Sequence, residues 1–313
     1  MGLVTTAVMQ TDAGLVRARN EDSAYADPDG RYVVVADGMG GHYYGEVAAQ
    51  IAVQTLTDAF PREFKPRMRD PFMFLQKGML NAHRAILDFA GQHRLLDSPR
   101  TTCVACVVQN SVAYWAHSGD SRLYLLRNGR VLAQTRDHSR VRLLVDQGVI
   151  SEEQMPGHPD RNKIYGCLGG QQKPEIEYSR KATLETGDVL VLCTDGVWSV
   201  LPADILAVSL KTTDPADAVP VLLGQAEARG GPHADNLSMI AVRWGDTYGA
   251  DSGSGSGNGS GRGLISTRTM PRDSVTKRID EFGRQPGGKT DLTEEEIERA
   301  IEEIRSTIQK YSR

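Results

Sequence analysis

The sequence predicts a mixed domain of β-strands and α-helices over residues 1–245, a flexible linker over 246–289 and a short amphipathic helix over 290–313. Three observations predict this. Apolar, β-branched runs alternate with helical stretches and short glycine-containing turns up to about residue 245. Residues 249–263 are then almost entirely Gly, Ser and Asn, a composition that buries no core and behaves as a flexible coil. From residue 290 onward Ile297, Ile301, Ile304, Ile308 and Tyr311 recur at alternating spacings of four and three, which makes one apolar stripe on a helix.

The first element is long enough for a substantial core. The chain has 313 residues, of which 40% are hydrophobic and 24% charged, ordinary values for a globular protein. Its 36 basic and 40 acidic residues leave a net charge of -4, which argues against a nucleic-acid surface. No run approaches the ~18 apolar residues that span a bilayer, and residues 1–10 lack the pattern of a secretory signal. The expectation is a cytoplasmic protein with no membrane contact. Four cysteines are too few for a disulfide scaffold in a chain of this length. Cys103 and Cys106 form a C-x-x-C, but they lie in a strand-like run, where positions three apart point to opposite faces. Small core residues are therefore the better reading than zinc or redox chemistry.

The second and third elements differ in kind. Residues 264–289 are polar and basic and read as disordered. Ser266, Thr267, Thr269 and Ser274 lie there among arginines as candidate kinase sites, although surface solubility explains them equally well. Thr290 or Thr293 can cap the final helix, and Glu294, Glu295 and Glu296 sit where the helix dipole favours negative charge. A free helix of barely two heptads is marginal in water. It is expected to pack on its own body, on a second copy or on a partner protein, with a frayed tail as the alternative.

The chemistry lies in a repeated design within the first element, an apolar strand that ends in aspartate. The run Tyr32-Val33-Val34-Val35-Ala36 leads to Asp37-Gly38, and Val189-Leu190-Val191-Leu192-Cys193-Thr194 leads to Asp195-Gly196. A third strand-like run reaches Asp120 through Ser118-Gly119, and Asp235-Asn236 stands before a fourth. Each alone has a plain explanation, since Asp-Gly is also a common tight turn between strands. Together they suggest strand ends meeting at one edge, where carboxylates repel unless a cation neutralises them. Oxygen ligands of this kind suit Mg²⁺, Mn²⁺ or Ca²⁺, and a few carboxylates leave water on the ion for activation. Two ions about 4 Å apart could aim such a water at phosphorus. Gly38, Gly40 and Gly41 let the backbone approach an ion, which makes the Gly38 carbonyl a further candidate ligand. Arg17 and Arg19 adjoin Glu21 and Asp22. If these acids join the cluster, Arg17 becomes a fork of donors suited to phosphate oxygens, whereas surface charge is the alternative.

These motifs resemble the type 2C (PPM) metal-dependent protein serine/threonine phosphatases in their bacterial form. The resemblance runs from about residue 10 to 243 and is carried by an ordered set. It comprises Arg17-Ala18-Arg19-Asn20-Glu21-Asp22, Val35-Ala36-Asp37-Gly38-Met39-Gly40-Gly41-His42, Ser118-Gly119-Asp120-Ser121-Arg122, Asp137-His138-Ser139, Cys193-Thr194-Asp195-Gly196-Val197-Trp198 and Asp235-Asn236-Leu237-Ser238. It implies an α+β fold, a four-layer α-β-β-α sandwich of two antiparallel sheets flanked by helices, with the site at one end. It further implies two to three Mn²⁺ or Mg²⁺ ions, with Asp37 bridging two. Asp195 and Asp235 would complete one, Glu21 and the Gly38 carbonyl would bind the other through waters, and Asp120 with Asp195 would hold a third. Arg17 would hold the substrate phosphate, and attack would come directly from a metal-bridging hydroxide.

The implied substrates are phosphoproteins, opposite a cognate serine/threonine kinase. Met39 stands where eukaryotic members commonly carry histidine, so bound water or His42 would have to protonate the leaving oxygen. Residues 147–162 look like the family's flap, and Asp160 on it is a further candidate for the third ion. Gly166, in Ile164-Tyr165-Gly166-Cys167-Leu168-Gly169, replaces a usual arginine, which bears on substrate preference. Two alternatives remain open at this point. One is a catalytically silent phosphatase-like binding module, and the other is a phosphatase dedicated to one signalling switch protein.

Overall fold

Alternation in the strands dictates the layers. The computed structural model describes residues 2–15, 20–27, 29–39, 44–246 and 264–267, with the backbone alone for 2–6, 246 and 264–267. In chain order the elements are β1 (Gly2–Asp12), β2 (Asp22–Ala26), β3 (Tyr32–Asp37), α1 (Gly45–Glu63), α2 (Pro71–Gln92), β4 (Cys103–Gln109), β5 (Val112–Ser118), β6 (Arg122–Arg127), β7 (Arg130–Gln134) and α3 (Arg140–Asp146). There follow β8 (Glu177–Tyr178), β9 (Ala182–Thr183), β10 (Val189–Cys193), α4 (Asp195–Trp198), α5 (Ala203–Thr212), α6 (Pro215–Gly230), β11 (Leu237–Asp246) and β12 (Leu264–Thr267). One sheet runs β12-β1-β11-β10-β6-β7 and the other β2-β3-β4-β5-β8, with β9 also on β5.

Period-two alternation sends Val33 and Val35 of β3 inward against Leu123, Leu190 and Ile240, so that the two sheets share one core. Tyr32, Val34 and Ala36 face the other way, onto α1 and α2 through Leu56, Leu75 and Met79. On the outer face of the first sheet Tyr124, Val191 and Met239 pack on α5 and α6 through Leu206, Leu210, Val219 and Leu222. The result is the α-β-β-α sandwich. Asp70 caps α2 by accepting a hydrogen bond from Met73 N–H at 3.1 Å, and Pro71 follows at the first helical turn.

Cys103 lies with the α1/α2 core and Cys106 with the core between the sheets, as a spacing of three on a strand requires. All four cysteines are free, and burial pushes the Cys103, Cys106 and Cys193 thiols up to about 12. They are packing residues and not nucleophiles.

One segment departs from expectation. Residues 264–267, within the stretch read as disordered, form β12 and pair in parallel with β1 from Thr6↔Leu264 to Met9↔Thr267, whereas the other strand pairs are antiparallel. The physical reason is the open edge of β1, whose backbone groups accept a strand whatever the composition flanking it. The amphipathic stretch 290–313 lies outside the described residues. Among the described residues no helix is long and apolar enough to cross a membrane.

Candidate metal centre

Antiparallel pairing brings the acidic strand ends together. Asp22 opens β2 directly opposite Asp37, which closes β3. The end of β3 adjoins the start of β4, Val35↔Val104, and the start of β4 adjoins the end of β5, Cys103↔Ser118, after which Asp120 follows. In the other sheet the end of β10 adjoins the start of β11, Cys193↔Met239, so Asp195 at the head of α4 and Asp235 just before β11 reach the same end. Backbone bonds hold the pieces in place. Asp37 N–H donates to Thr102 Oγ1 at 3.1 Å, and its carbonyl accepts from Thr102 N–H and Thr101 Oγ1, both at 2.8 Å. Glu21 N–H donates to Asn236 Oδ1 at 2.8 Å, while Asn236 Nδ2 donates to the Ala13 carbonyl at 2.8 Å, tying the approach to β2 against Asp235.

The Asp-Gly pairs are not hairpin turns. Asp195-Gly196 opens a helix, and Gly38 bridges to Thr101. Each glycine is required by close backbone approach. A Cβ on Gly38 would collide with the Gly45 carbonyl and come within 2.7 Å of the Glu21 carbonyl, and one on Gly196 would collide with the Asn236 carbonyl.

The electrostatics follow from this crowding. Burial, and then the charges of Asp22, Asp195, Asp120 and Asp235, push the Asp37 carboxyl well above the usual carboxylate range. Burial likewise pushes Asp22 up to about 7, against hydroxyl bonds from Ser238 and Thr194, with Asp195 and Asp235 raising it further. Asp22 keeps part of its residue surface exposed, yet its Oδ1 is fully buried, and the buried atom governs the titration. Asp120 is raised by burial and then by Asp195 and Asp137, partly offset by Arg122. A cluster of this kind, built only of oxygen donors, suits hard divalent cations, whose charge would relieve every one of these repulsions.

Comparison with known proteins decides the family. The sequence profile of protein phosphatase 2C matches residues 16–222. The chain belongs to the protein phosphatase 2C family. The serine/threonine phosphatase stp of Listeria welshimeri is 34% identical over 244 residues, spanning 75% of this chain and 94% of its relative. The serine/threonine protein phosphatase PstP of Mycobacterium tuberculosis is 33% identical over 240 residues, spanning 77% of this chain and 45% of that protein. Among solved structures, the PstP catalytic domain in complex with two manganese ions superposes with a TM-score of 0.68 at 31% identity, over 78% of this chain and 100% of that one. The serine/threonine phosphatase Stp1 of Staphylococcus aureus gives 0.70 at 27% identity, over 78% and 97%.

Within this protein phosphatase 2C domain, Glu21, Asp22, Asp37, Gly38, Asp120, Asp195 and Asp235 stand at one end of the sandwich. Asp22 sits deeper in the cluster than its sequence context suggests, opposite Asp37 and bonded by Thr194 Oγ1 at 2.9 Å. Arg17 and His42 lie outside the described residues. Asp160 is on the flap, where Lys163 pairs with it at 2.7 Å and holds its carboxyl below the usual range, and the charges acting on it are Lys163, His158 and Arg140 rather than the clustered acids.

Sequence reasoning missed the groups that position the acids. Arg122 donates to both Asp137 oxygens, at 2.8 and 2.7 Å, and lies 3.6 Å over the Trp198 ring. Trp198 Nε1–H in turn donates to the Asp120 carbonyl at 2.9 Å. Thr102 Oγ1 shares a 2.7 Å bond with Ser121 Oγ and so links the Asp37 backbone to the turn after Asp120. The pieces were visible as motifs, but nothing local marked them as supports.

Proposed function

We propose that this phosphatase hydrolyses phosphoserine and phosphothreonine in other proteins with two to three Mn²⁺ or Mg²⁺ ions, and that it opposes a serine/threonine kinase. The observation that carries the reading is the meeting of Asp37, Asp195, Asp235 and Asp120 at one end of the sandwich, each acting on its neighbours' charge. The names of the relatives agree with it, and the two manganese ions of the PstP catalytic domain identify the class of cation.

In this reading Asp37, Asp195 and Asp235 would hold one ion, and Asp37 with Glu21 and the Gly38 carbonyl would hold another. Asp120 with Asp195 would hold a third, and Arg17 would bind the phosphate of the substrate. When bound, the cations supply a water acidified enough to act as nucleophile at neutral pH, together with positive charge for the phosphoryl oxygens. The chain's own residues set the geometry. Thr102 and Thr101 fix the Asp37 backbone, Thr194 and Ser238 orient Asp22, and Trp198 fixes the carbonyl of Asp120. None of the buried cysteines serves as a nucleophile, so no phosphoenzyme is formed on them.

The test is turnover of a small aryl phosphate and of a phosphothreonine peptide in Mn²⁺ or Mg²⁺. Expected is cation-dependent release of phosphate from both, abolished by chelation. Folded protein that stays inactive with either ion overturns the enzymatic reading in favour of a silent binding module. Comparison of phosphoproteins in cells with and without the enzyme then separates a general phosphatase from one dedicated to a single switch protein.

A further inference from the structure

Apart from the acids, the described residues hold a second group of ligand-bearing side chains. His117 and His138 are each only 2% exposed, and their rings lie 4.7 Å apart. His117 Nδ1 and His138 Nε2 are buried without a hydrogen-bond partner. The pairing of β5 with β8 sets Glu177 directly opposite His117, on the same face of the sheet, and brings its Oε2 to 3.5 Å from His138 Nε2. One nitrogen of each histidine and a carboxylate oxygen all lie within 4.8 Å of one another.

We infer that His117 Nδ1, His138 Nε2 and the Glu177 carboxylate form a second metal site, distinct from the aspartates, which takes one divalent cation of the Zn²⁺ class. Two imidazoles and a carboxylate are a donor set for Zn²⁺ or its transition-metal neighbours, and not for Mg²⁺. Three protein ligands leave one position for water. The other nitrogen of His117 is already held. Its Nε2–H donates to the Arg136 carbonyl at 2.7 Å, which leaves Nδ1 as a bare lone pair aimed at the cluster. Burial also lowers the His117 pKa, so the ring is neutral and ready to ligate.

His138 is held from the opposite side. Tyr165 stacks on it at 5.6 Å, and a Cβ on residue 166 would come within 2.6 Å of the His138 Cβ, so Gly166 is what allows this segment to close over the ring. The loss of arginine at position 166 thereby acquires a local reason. Gly119 N–H donates to His138 Nδ1 over a long 3.3 Å. A cation on Nε2 moves that ring's one proton to Nδ1, with no net release, and so gives up this contact. Glu177 is half-exposed and provides the entry side.

The test holds the full-length protein in excess Mg²⁺ and titrates it with Co²⁺ as the probe. Expected is one equivalent of Co²⁺ with the intense visible bands of a four-coordinate site, displaced by Zn²⁺. Glu177→Gln should weaken this binding about tenfold or more with unchanged circular dichroism, since Glu177 lies at the protein surface. Asp120→Asn should retain the bands. Weak six-coordinate bands alone, equal affinity in Glu177→Gln, or bands that vanish with Asp120→Asn and persist in Glu177→Gln would each overturn the site. Phosphate hydrolysis does not enter this readout, so the result stands apart from that of the activity assay.

Discussion

Replacing Asp22 by Asn should stabilise the metal-free protein and weaken its response to cations. In the metal-free fold the Asp22 carboxyl titrates at about 7 against an ordinary value of 3.8, chiefly because it is buried. The folded state therefore keeps this proton to a higher pH than the unfolded chain does. Between about pH 4 and 7 the folded state binds more protons than the unfolded one, so stability falls as pH rises through that window and the full loss is present above it. One pKa unit is 1.36 kcal/mol, so a shift of this size corresponds to about 4 kcal/mol. Asparagine does not titrate, and it also removes the first-named charge acting on Asp37. Urea unfolding in EDTA at pH 5 and pH 8 measures the effect. Wild type should lose more stability between these values than Asp22→Asn by about 3 kcal/mol, the Asp22 share from pH 5 to about 7, because the raised Asp37 and Asp120 carboxyls remain in both proteins, while saturating Mn²⁺ should restore wild type more than the variant. Metal-free wild type that is equally stable at both pH values, or Asp22→Asn that is the less stable protein at pH 8 in EDTA, would refute the reasoning.

Three other outcomes follow from the same geometry. Asp37→Asn removes the clustered charge that the proposed cations would share and should cost at least ~3 kcal/mol of transition-state stabilisation, a hundredfold or more in kcat with aryl phosphate. Trp198→Phe keeps a ring under Arg122 but loses the 2.9 Å bond to the Asp120 carbonyl. A loss of about 1 kcal/mol should appear as roughly a fivefold rise in the Mn²⁺ concentration for half activation, with little change in Tm. Deleting residues 247–313 removes β12, which among the described residues pairs with β1 at the sheet edge, and should leave aryl-phosphate turnover nearly unchanged in steady-state assays.

Much of this site was legible because strands end where their apolar runs end. Val33 and Val35 against Val34 and Ala36 already separate the inner from the outer face of β3, and the same count places Asp37 at the strand's end. The placement of Cys103 and Cys106 follows from the same parity. What was not legible depends on distance along the chain. Thr194 reaches Asp22 across 172 residues and Thr102 reaches Asp37 across 65, and a hydroxyl carries no local sign of which acid it will face. Arg122 and Asp137 stood in recognised motifs, but their pairing needed the turn between β6 and β7 to bring them within 2.7 Å. Likewise β12 is invisible in composition, because what makes it a strand is the vacant edge of β1 and not its own surroundings in sequence.

The support network also explains how the centre keeps its charge for cations. Among the described residues Arg122 is a basic group whose charge acts on Asp120, and a positive charge there competes with a metal. It is instead committed to Asp137 through two short bonds and to the Trp198 face, and this pairing drives its own pKa further upward despite burial. Its effect on Asp120 is accordingly smaller than the opposing push from burial, Asp195 and Asp137. Elsewhere in the cluster the structure uses neutral hydroxyls and an amide, namely Thr102, Thr194, Ser238 and Asn236, to orient the acids without cancelling them. Thr194 and Ser238 bond the Asp22 carboxylate while Thr102 and Asn236 accept from backbone N–H groups, and bonds of this kind leave the carboxylates mutually repelling until protons or a divalent ion relieve them. Relief of this repulsion contributes to affinity for metal, so substitutions that stabilise the fold by removing one of these charges should also weaken cation binding.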